Sequence, residues 1–87
     1  MKLKYEFEIV QLIDDFVAVP AGRKAEHLNG IYRLNREGKE LFELLRKETT
    51  VEAIVSFLLA KYENEESTLR KYVCEFTDKL KKDGVLE

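Results

Sequence analysis

The first third of the chain alternates apolar and polar residues in the way that is typical of half-buried β-strands. Residues 5–13 begin with this alternation and then become apolar on both faces. Asp14-Asp15 follows as a turn signal. Residues 16–19 predict a second strand that ends at Pro20, because proline cannot donate a ladder hydrogen bond. The two segments therefore predict a β-hairpin.

A polar connection joins this hairpin to the next apolar segment. It spans residues 21–30 and ends in Asn29-Gly30, which favours a tight turn because both residues tolerate positive φ. Residues 31–34 then predict a last strand, at the edge of the sheet. Residues 25–28 are placed to pair with it across the turn, so the sequence permits three strands or four.

After residue 34 the apolar spacing changes from two residues to three and four, which is the period of an amphipathic helix. This pattern predicts three helices, at about residues 36–47, 51–63 and 66–83. A strand-rich first part followed by a helix-rich second part is the order of an α+β domain. Its length of 87 residues is that of a single domain, residues 1–87.

Residues with capping preferences stand at the ends of the predicted helices. Asn35 fits the N-cap of the first helix, since its side-chain oxygen can accept an unpaired backbone N–H of the first turn. Thr49 and Thr50 precede the second helix, and Thr49 with Glu52 has the form of a capping box. Gly84 fits a left-handed C-cap after the third helix.

The composition adds constraints on location and partners. The net charge is −2 and the sequence pI is about 5.5, which weighs against a nucleic-acid binder because such domains are more often basic. The single cysteine, Cys74, cannot form an internal disulfide and fits a reducing compartment. No apolar run is long enough for a transmembrane helix, and residues 1–8 lack the apolar core of a signal peptide. We therefore expect a cytoplasmic protein without a membrane partner.

The chemically reactive side chains are too few and too scattered to predict catalysis. His27 is the only histidine of the sequence, and with the distant Cys74 it gives no signature of a Cys–His pair or a zinc site. Neither Ser56 nor Ser67 lies in a Gly-x-Ser-x-Gly sequence, and the four glycines form no phosphate-binding motif. We expect no enzyme activity, no cofactor and no metal.

Two segments have the properties of a binding surface. An edge strand at residues 31–34 would offer unpaired N–H and C=O groups to an extended peptide, the mode called β-augmentation. In the third helix, Tyr72 and Lys79 lie beside the apolar stripe rather than within it. They are placed to line a groove, or alternatively to stand at the core boundary of a solvated, charged face.

An ordered set of short motifs resembles the PqqD-like family, whose fold is also called the RiPP recognition element. RiPP denotes a ribosomally made and post-translationally modified peptide. The resemblance covers nearly the whole chain and is carried by Leu34-Asn35-x-x-Gly38, Leu41-x-x-Leu44-Leu45, Thr50-Val51-Glu52-x-Ile54 and Phe76-x-x-x-Leu80-x-x-x-Gly84-Val85-Leu86. One departure is Ala53, where relatives often carry an acid that would complete a capping box from Thr50.

The resemblance implies a winged-helix-like fold with a three-stranded antiparallel sheet packed on three helices, and it implies no catalysis. Family members bind the leader segment of a precursor peptide as an added strand on the third strand, against the third helix. They present it to a separate modifying enzyme, such as a radical-SAM protein, a leader peptidase or a cyclase. Carried onto this sequence, the candidate peptide-binding residues are Ile31, Tyr32, Arg33, Leu34, Leu69, Tyr72, Glu75, Phe76 and Lys79.

Alternative functions remain compatible with the same elements. A winged-helix DNA-binding regulator would share the fold, but the first hairpin is acidic where a basic wing would be expected. An adaptor for an unrelated protein is a further alternative. An edge strand can also pair with its own copy, so the sequence leaves a homodimer open.

Overall fold

The computed structural model describes residues 1–22 and 31–87, which form a three-stranded antiparallel sheet followed by three helices. The strands are paired in the order β1 (Glu6–Leu12), β2 (Asp15–Ala21) and β3 (Tyr32–Leu34). The helices are α1 (Arg36–Leu44), α2 (Val51–Lys61) and α3 (Glu66–Lys82). The α+β fold predicted from the sequence is confirmed. The proposed turn at Asn29-Gly30, a fourth strand at residues 25–28 and His27 lie outside the described residues.

One face of the sheet packs against the helices and builds the core. Residues that are paired across antiparallel strands share a face, so Phe7, Ala18 and Leu34 all point inward, and all three are buried. The helices, with the C-cap residue of α1, contribute a second set of buried side chains: Leu41, Phe42, Leu45, Ile54, Val55, Leu58, Leu69, Val73 and Leu80. The apolar side chains of the strands and of the helices therefore form one interior.

Phe42 of α1 lies at the centre of this interior. Its ring centroid is 5.2 Å from that of Phe7 on β1, 5.6 Å from that of Tyr32 on β3 and 6.0 Å from that of Phe76 on α3. Only 1% of its surface is exposed. The sheet, α1 and α3 are thus held around one aromatic side chain, and edge-to-face contacts of this kind add to its burial energy.

The β1–β2 hairpin differs from the sequence prediction in two details. Leu12 pairs with Asp15, so the loop consists of Ile13 and Asp14 rather than of the two aspartates. β2 also continues through Pro20, which lies opposite Phe7, instead of ending there. Proline is tolerated here because an antiparallel strand donates alternately to its two neighbours, and no described residue of β3 lies opposite Pro20.

Ile13 at the tip of this hairpin has a backbone conformation that is unfavourable for its residue type. Its φ is +47°, in the left-handed region, and its side chain is 92% exposed. A β-branched residue in this region is an outlier that costs about 1–2 kcal/mol, and glycine is the residue usually found there. The hairpin therefore carries an exposed isoleucine at a position where folding alone would favour glycine.

The structure confirms a cap at each of the three predicted helix ends, but not the capping box. Asn35 Oδ1 accepts the backbone N–H of Gly38 at 2.8 Å, and Gly84 has a φ of +79° after α3. At α2 the N-cap is Thr50, whose Oγ1 accepts the N–H of Ala53 at 3.1 Å, so the capping box predicted from Thr49 is wrong. α1 and α2 also end earlier than expected, at Leu44 and Lys61.

Candidate functional site

β3 is an edge strand of the sheet. It pairs with β2 through Phe16 and Leu34, Val17 and Arg33, and Ala18 and Tyr32. Within residues 1–22 and 31–87, no strand pairs with its other side. One side of β3 therefore faces outward with its backbone groups, as the sequence predicts for an edge strand.

The register identifies which backbone groups of β3 point outward. The two-residue loop is closed by the hydrogen-bonded pair Leu12 and Asp15. From there hydrogen-bonded and non-hydrogen-bonded pairs alternate along the hairpin, so the backbone N–H and C=O groups of Phe16 and Ala18 point toward β3. Their partners Leu34 and Tyr32 consequently direct their N–H and C=O groups toward β2. Arg33 lies between them, so its N–H and C=O point away from the sheet.

The opposite edge of the sheet, along β1, is partly occupied. By the same alternation the carbonyl of Phe7 points away from β2, and it accepts a hydrogen bond of 3.0 Å from the Arg46 guanidinium. This contact agrees with the alternation assigned to the sheet. The outward backbone groups of Ile9 and Gln11 on β1 have no partner among the described residues either, so what distinguishes β3 is that its outward edge lies beside α3.

α3 presents one stripe of side chains toward β3. Tyr72, Phe76, Lys79 and Asp83 follow one another at steps of four, three and four residues, so they lie on one side of the helix. The Tyr32 hydroxyl donates to Asp83 Oδ2 at 2.7 Å, and Lys79 Nζ is 5.9 Å from the centre of the Tyr32 ring. These contacts join the start of β3 to the last turn of α3.

A second contact joins the other end of β3 to the middle of α3. The Tyr72 hydroxyl donates to Asn35 Oδ1 at 3.2 Å, the same oxygen that caps α1. Gly38 makes this approach possible, since a Cβ atom at position 38 would lie only 2.8 Å from the Tyr72 hydroxyl. Asn35 and Gly38 thus position Tyr72 beside β3, and this explains the spacing of the Asn35-x-x-Gly38 motif.

We call the space between these two contacts the β3–α3 groove, bordered by β3, Asn35 and the α3 stripe. Its aromatic side chains form a continuous row. The ring centroid of Phe76 is 5.9 Å from that of Tyr72 and 6.0 Å from that of Phe42, and the Phe42 ring in turn contacts the Tyr32 ring. Tyr32, Tyr72 and Phe76 are half-buried. The groove therefore offers apolar ring surface directly beside the outward backbone groups of Arg33.

The two tyrosines of the groove act as hydrogen-bond donors over the whole physiological pH range. Burial, followed by the hydrogen bond to the Asp83 carboxylate and its charge, raises the pKa of Tyr32 well above its usual value. Burial, with the nearby charge of Glu37, also raises the pKa of Tyr72. Both hydroxyls consequently stay protonated and keep their contacts to Asp83 and Asn35.

The candidate residues named from the sequence fall into three groups. The groove contains Tyr32, Tyr72, Phe76 and Lys79, and exposed Glu75 lies on α3 next to it. Exposed Ile31 and Arg33 are on the β3 edge, with Arg33 Nη2 at 3.3 Å from Asp15 Oδ2. Leu34 and Leu69 are buried in the core, where they support the groove.

Sequence reasoning missed two residues of this arrangement. Asp83 holds Tyr32, and Asn35 holds Tyr72 in addition to capping α1. A signal for Asp83 exists in the sequence, since it follows Lys79 by one helical turn on the same stripe. The second use of Asn35 has no such signal, because Tyr72 is 37 residues away in the chain.

Metal-binding clusters and membrane-spanning helices are absent from the part of the chain that the structure describes. There, no group of three or more His, Cys, Asp or Glu side chains could hold a metal ion. Cys74 is a free, half-buried thiol. None of the described helices has the length and apolarity that crossing a membrane requires.

Comparison with known proteins gives one family and one related structure. A family described as "Coenzyme PQQ synthesis protein D (PqqD)" matches residues 17–86. A solved structure described as "TbiB1 in Complex with the TbiA(beta) Leader Peptide" is similar, with a TM-score of 0.74 and 21% sequence identity over 100% of this chain and 95% of that chain. No curated protein matches significantly. At this identity the structural likeness establishes the fold.

Proposed function

Because the chain belongs to the PqqD family, as its motifs predict, we propose that it is a non-catalytic module that binds the leader segment of a ribosomally made precursor peptide. The leader adds to the sheet as a fourth strand along β3 and lies in the β3–α3 groove. The observation that carries this proposal is the outward edge of β3 beside a row of half-buried aromatic rings. The related structure, TbiB1, is described as a complex with a leader peptide.

The short edge of β3 cannot supply the affinity alone. Arg33 with Ile31 offers about four outward backbone groups, and each net hydrogen bond contributes about 0.5–1.5 kcal/mol. Micromolar binding corresponds to about 8 kcal/mol net, and association itself costs at least about 4 kcal/mol that the contacts must also offset. Each 100 Å² of apolar ring surface that the peptide covers adds about 2.5 kcal/mol. Both the edge and the aromatic groove are therefore needed for a peptide to bind.

Side-chain charges contribute less to the binding of the leader. Arg33, Lys71 and Lys79 are exposed and can pair with acidic residues of a leader. Exposed ion pairs contribute about 0–1 kcal/mol each. They therefore affect which leader is preferred more than whether one binds.

The bound leader is presented to a separate modifying enzyme, such as a radical-SAM protein, a leader peptidase or a cyclase. We place this process in the cytoplasm, since the single half-buried thiol of Cys74 suits a reducing compartment. A DNA-binding role is less well supported, because residues 5–22 contain four acids and no lysine or arginine. A basic surface would be needed at a wing that contacts phosphates.

An NMR titration of ¹⁵N-labelled protein tests the proposal. Candidate leader peptides are added one by one, followed by a short DNA duplex at low salt. We expect one peptide to shift the amides of residues 31–35 and of the α3 stripe, and the duplex to shift none. Shifts on α3 with DNA alone, or peptide shifts confined to β1, would refute the proposed binding mode.

A further inference from the structure

The face of the sheet that points away from the helices carries an exposed apolar surface. We call it the outer apolar patch, and it consists of Val10, Leu12, Ile13, Val17, Val19 and Ile31. Val10 and Leu12 are 45% and 47% exposed, and Ile31 is 62% exposed. Contiguous apolar surface of this kind marks an interaction site more often than scattered single residues do.

Ile13 gives a second reason to regard this patch as functional. It is the most exposed large hydrophobic residue of the described chain, and it occupies a left-handed conformation in which glycine would be favoured. A residue that costs the fold stability and gains no burial in return is expected where an interaction with a partner compensates.

The charges around the patch indicate the chemistry of that partner. Glu6 and Glu8 are exposed on the same face of β1, and Asp14 and Asp15 border the tip. Arg33, which pairs with Asp15, is the one described cation on the strands of this face. A second copy would bring like charges together, and an anionic membrane surface would be repelled. The surface instead fits a protein with an apolar centre and a rim of lysine and arginine side chains.

The position of the patch also favours a partner that binds together with the peptide. Ile31 precedes β3 directly, whereas the β3–α3 groove opens toward the helices on the other face. An occupant of the patch would therefore approach the bound leader without covering the groove. We propose that the outer apolar patch is the docking surface for the peptide-modifying enzyme, which meets it with an apolar, basic-rimmed surface. This inference rests on the proposed function.

Two variants separate this docking surface from the fold and from the peptide site. Ile13→Gly removes the exposed side chain and relieves the left-handed strain, so we expect its Tm to rise by about 4–8 °C. Glu8→Lys reverses one exposed rim charge. Phe57→Ala is the matched control, because Phe57 is 41% exposed but lies on α2. None of the three changes a residue of the groove.

The test adds purified candidate modifying enzymes, a radical-SAM protein, a leader peptidase and a cyclase, one by one to ¹⁵N-labelled protein saturated with leader peptide. We expect line broadening at residues 8–19 and at residue 31. Ile13→Gly and Glu8→Lys should each weaken enzyme binding tenfold or more, and Phe57→Ala should leave it unchanged. Peptide affinity should be the same in all four proteins.

Enzyme binding that is absent, maps to the helices or is unaffected by Ile13→Gly and Glu8→Lys would overturn the proposal. Self-association of the protein alone that Ile13→Gly abolishes would also overturn it, since the occupant would then be a second copy. The peptide titration without enzyme reports on the proposed function by itself. Failure of docking is thereby distinguished from failure of leader recognition.

Discussion

The close approach of Gly38 and Tyr72 predicts a substitution whose effect on stability changes sign with its partner. In the wild-type protein, a Cβ at position 38 would lie 2.8 Å from the Tyr72 hydroxyl and 3.2 Å from Asn35 Oδ1. Gly38→Ala should displace the Tyr72 side chain and remove its hydrogen bond to Asn35, at a cost of about 1 kcal/mol. Replacing a helical glycine with alanine offsets this cost by about 1 kcal/mol.

The net effect of Gly38→Ala on wild-type stability should therefore lie between about 0 and 1 kcal/mol of destabilisation. In a Tyr72→Phe background the hydroxyl is absent, so neither the 2.8 Å contact nor the hydrogen bond opposes the alanine. There Gly38→Ala should stabilise the fold by about 0.5–1 kcal/mol. The expected coupling energy is about 1 kcal/mol, within the range of residues in contact.

Urea unfolding of the four proteins, followed by circular dichroism at 222 nm, measures this double-mutant cycle. Additive effects would show that Tyr72 does not lie against Gly38, and they would refute the Tyr72–Asn35 contact that borders the groove. Peptide binding offers an independent readout. Gly38→Ala should weaken it in the wild-type background, because the displaced Tyr72 ring no longer borders β3.

Two further predictions concern the contact between Tyr32 and Asp83 and the core. Since the pKa of Tyr32 is raised above the ordinary 10.0, the folded protein keeps this proton at pH values where the unfolded chain loses it, so stability should fall as the pH rises above 10. Tyr32→Phe should lower the free energy of unfolding by about 1 kcal/mol at neutral pH and make its fall at alkaline pH smaller. Equal pH profiles of the two proteins in denaturant unfolding would contradict the raised pKa of Tyr32. Phe42→Ala should lower the free energy of unfolding by about 3–5 kcal/mol, because it removes a fully buried ring between sheet and helices; a loss under 1 kcal/mol would refute its central position.

The fold could be predicted because the hydrophobic period changes at one point of the chain. Alternation before residue 34 and helical spacing after it determine which side chains are buried, and burial dominates the choice of architecture. The errors were local. Turn preferences predict a loop at Asp14-Asp15, whereas the structure has Ile13 and Asp14 in the loop, with Ile13 strained. The general rule for proline predicts a strand end at Pro20, because it does not consider which neighbouring strand the proline nitrogen faces.

The groove was predictable only in outline. The helical spacing of Tyr72 and Lys79 indicated a groove-lining side of α3, and residues 31–34 indicated an edge strand. The contacts that close the groove join residues 51 and 37 positions apart, Tyr32 with Asp83 and Asn35 with Tyr72. Such pairs depend on distances between packed elements, which local preferences and periodicity do not encode.

The added-strand mode requires that the leader peptide bind β3 through the outward backbone N–H of Arg33. Its most direct test is the affinity of Arg33→Pro and Arg33→Ala for the peptide that the wild-type protein binds, measured by calorimetry. Arg33→Ala removes an exposed cation that pairs with Asp15 and can pair with an acid of the leader, so it should change Kd by less than about fivefold.

Arg33→Pro also removes the outward donor, while the ladder to β2 through Tyr32 and Leu34 is retained. We expect a folded Arg33→Pro protein whose Kd for the peptide is about tenfold or more above that of Arg33→Ala. A folded Arg33→Pro protein that binds the peptide as tightly as Arg33→Ala would contradict the added-strand mode.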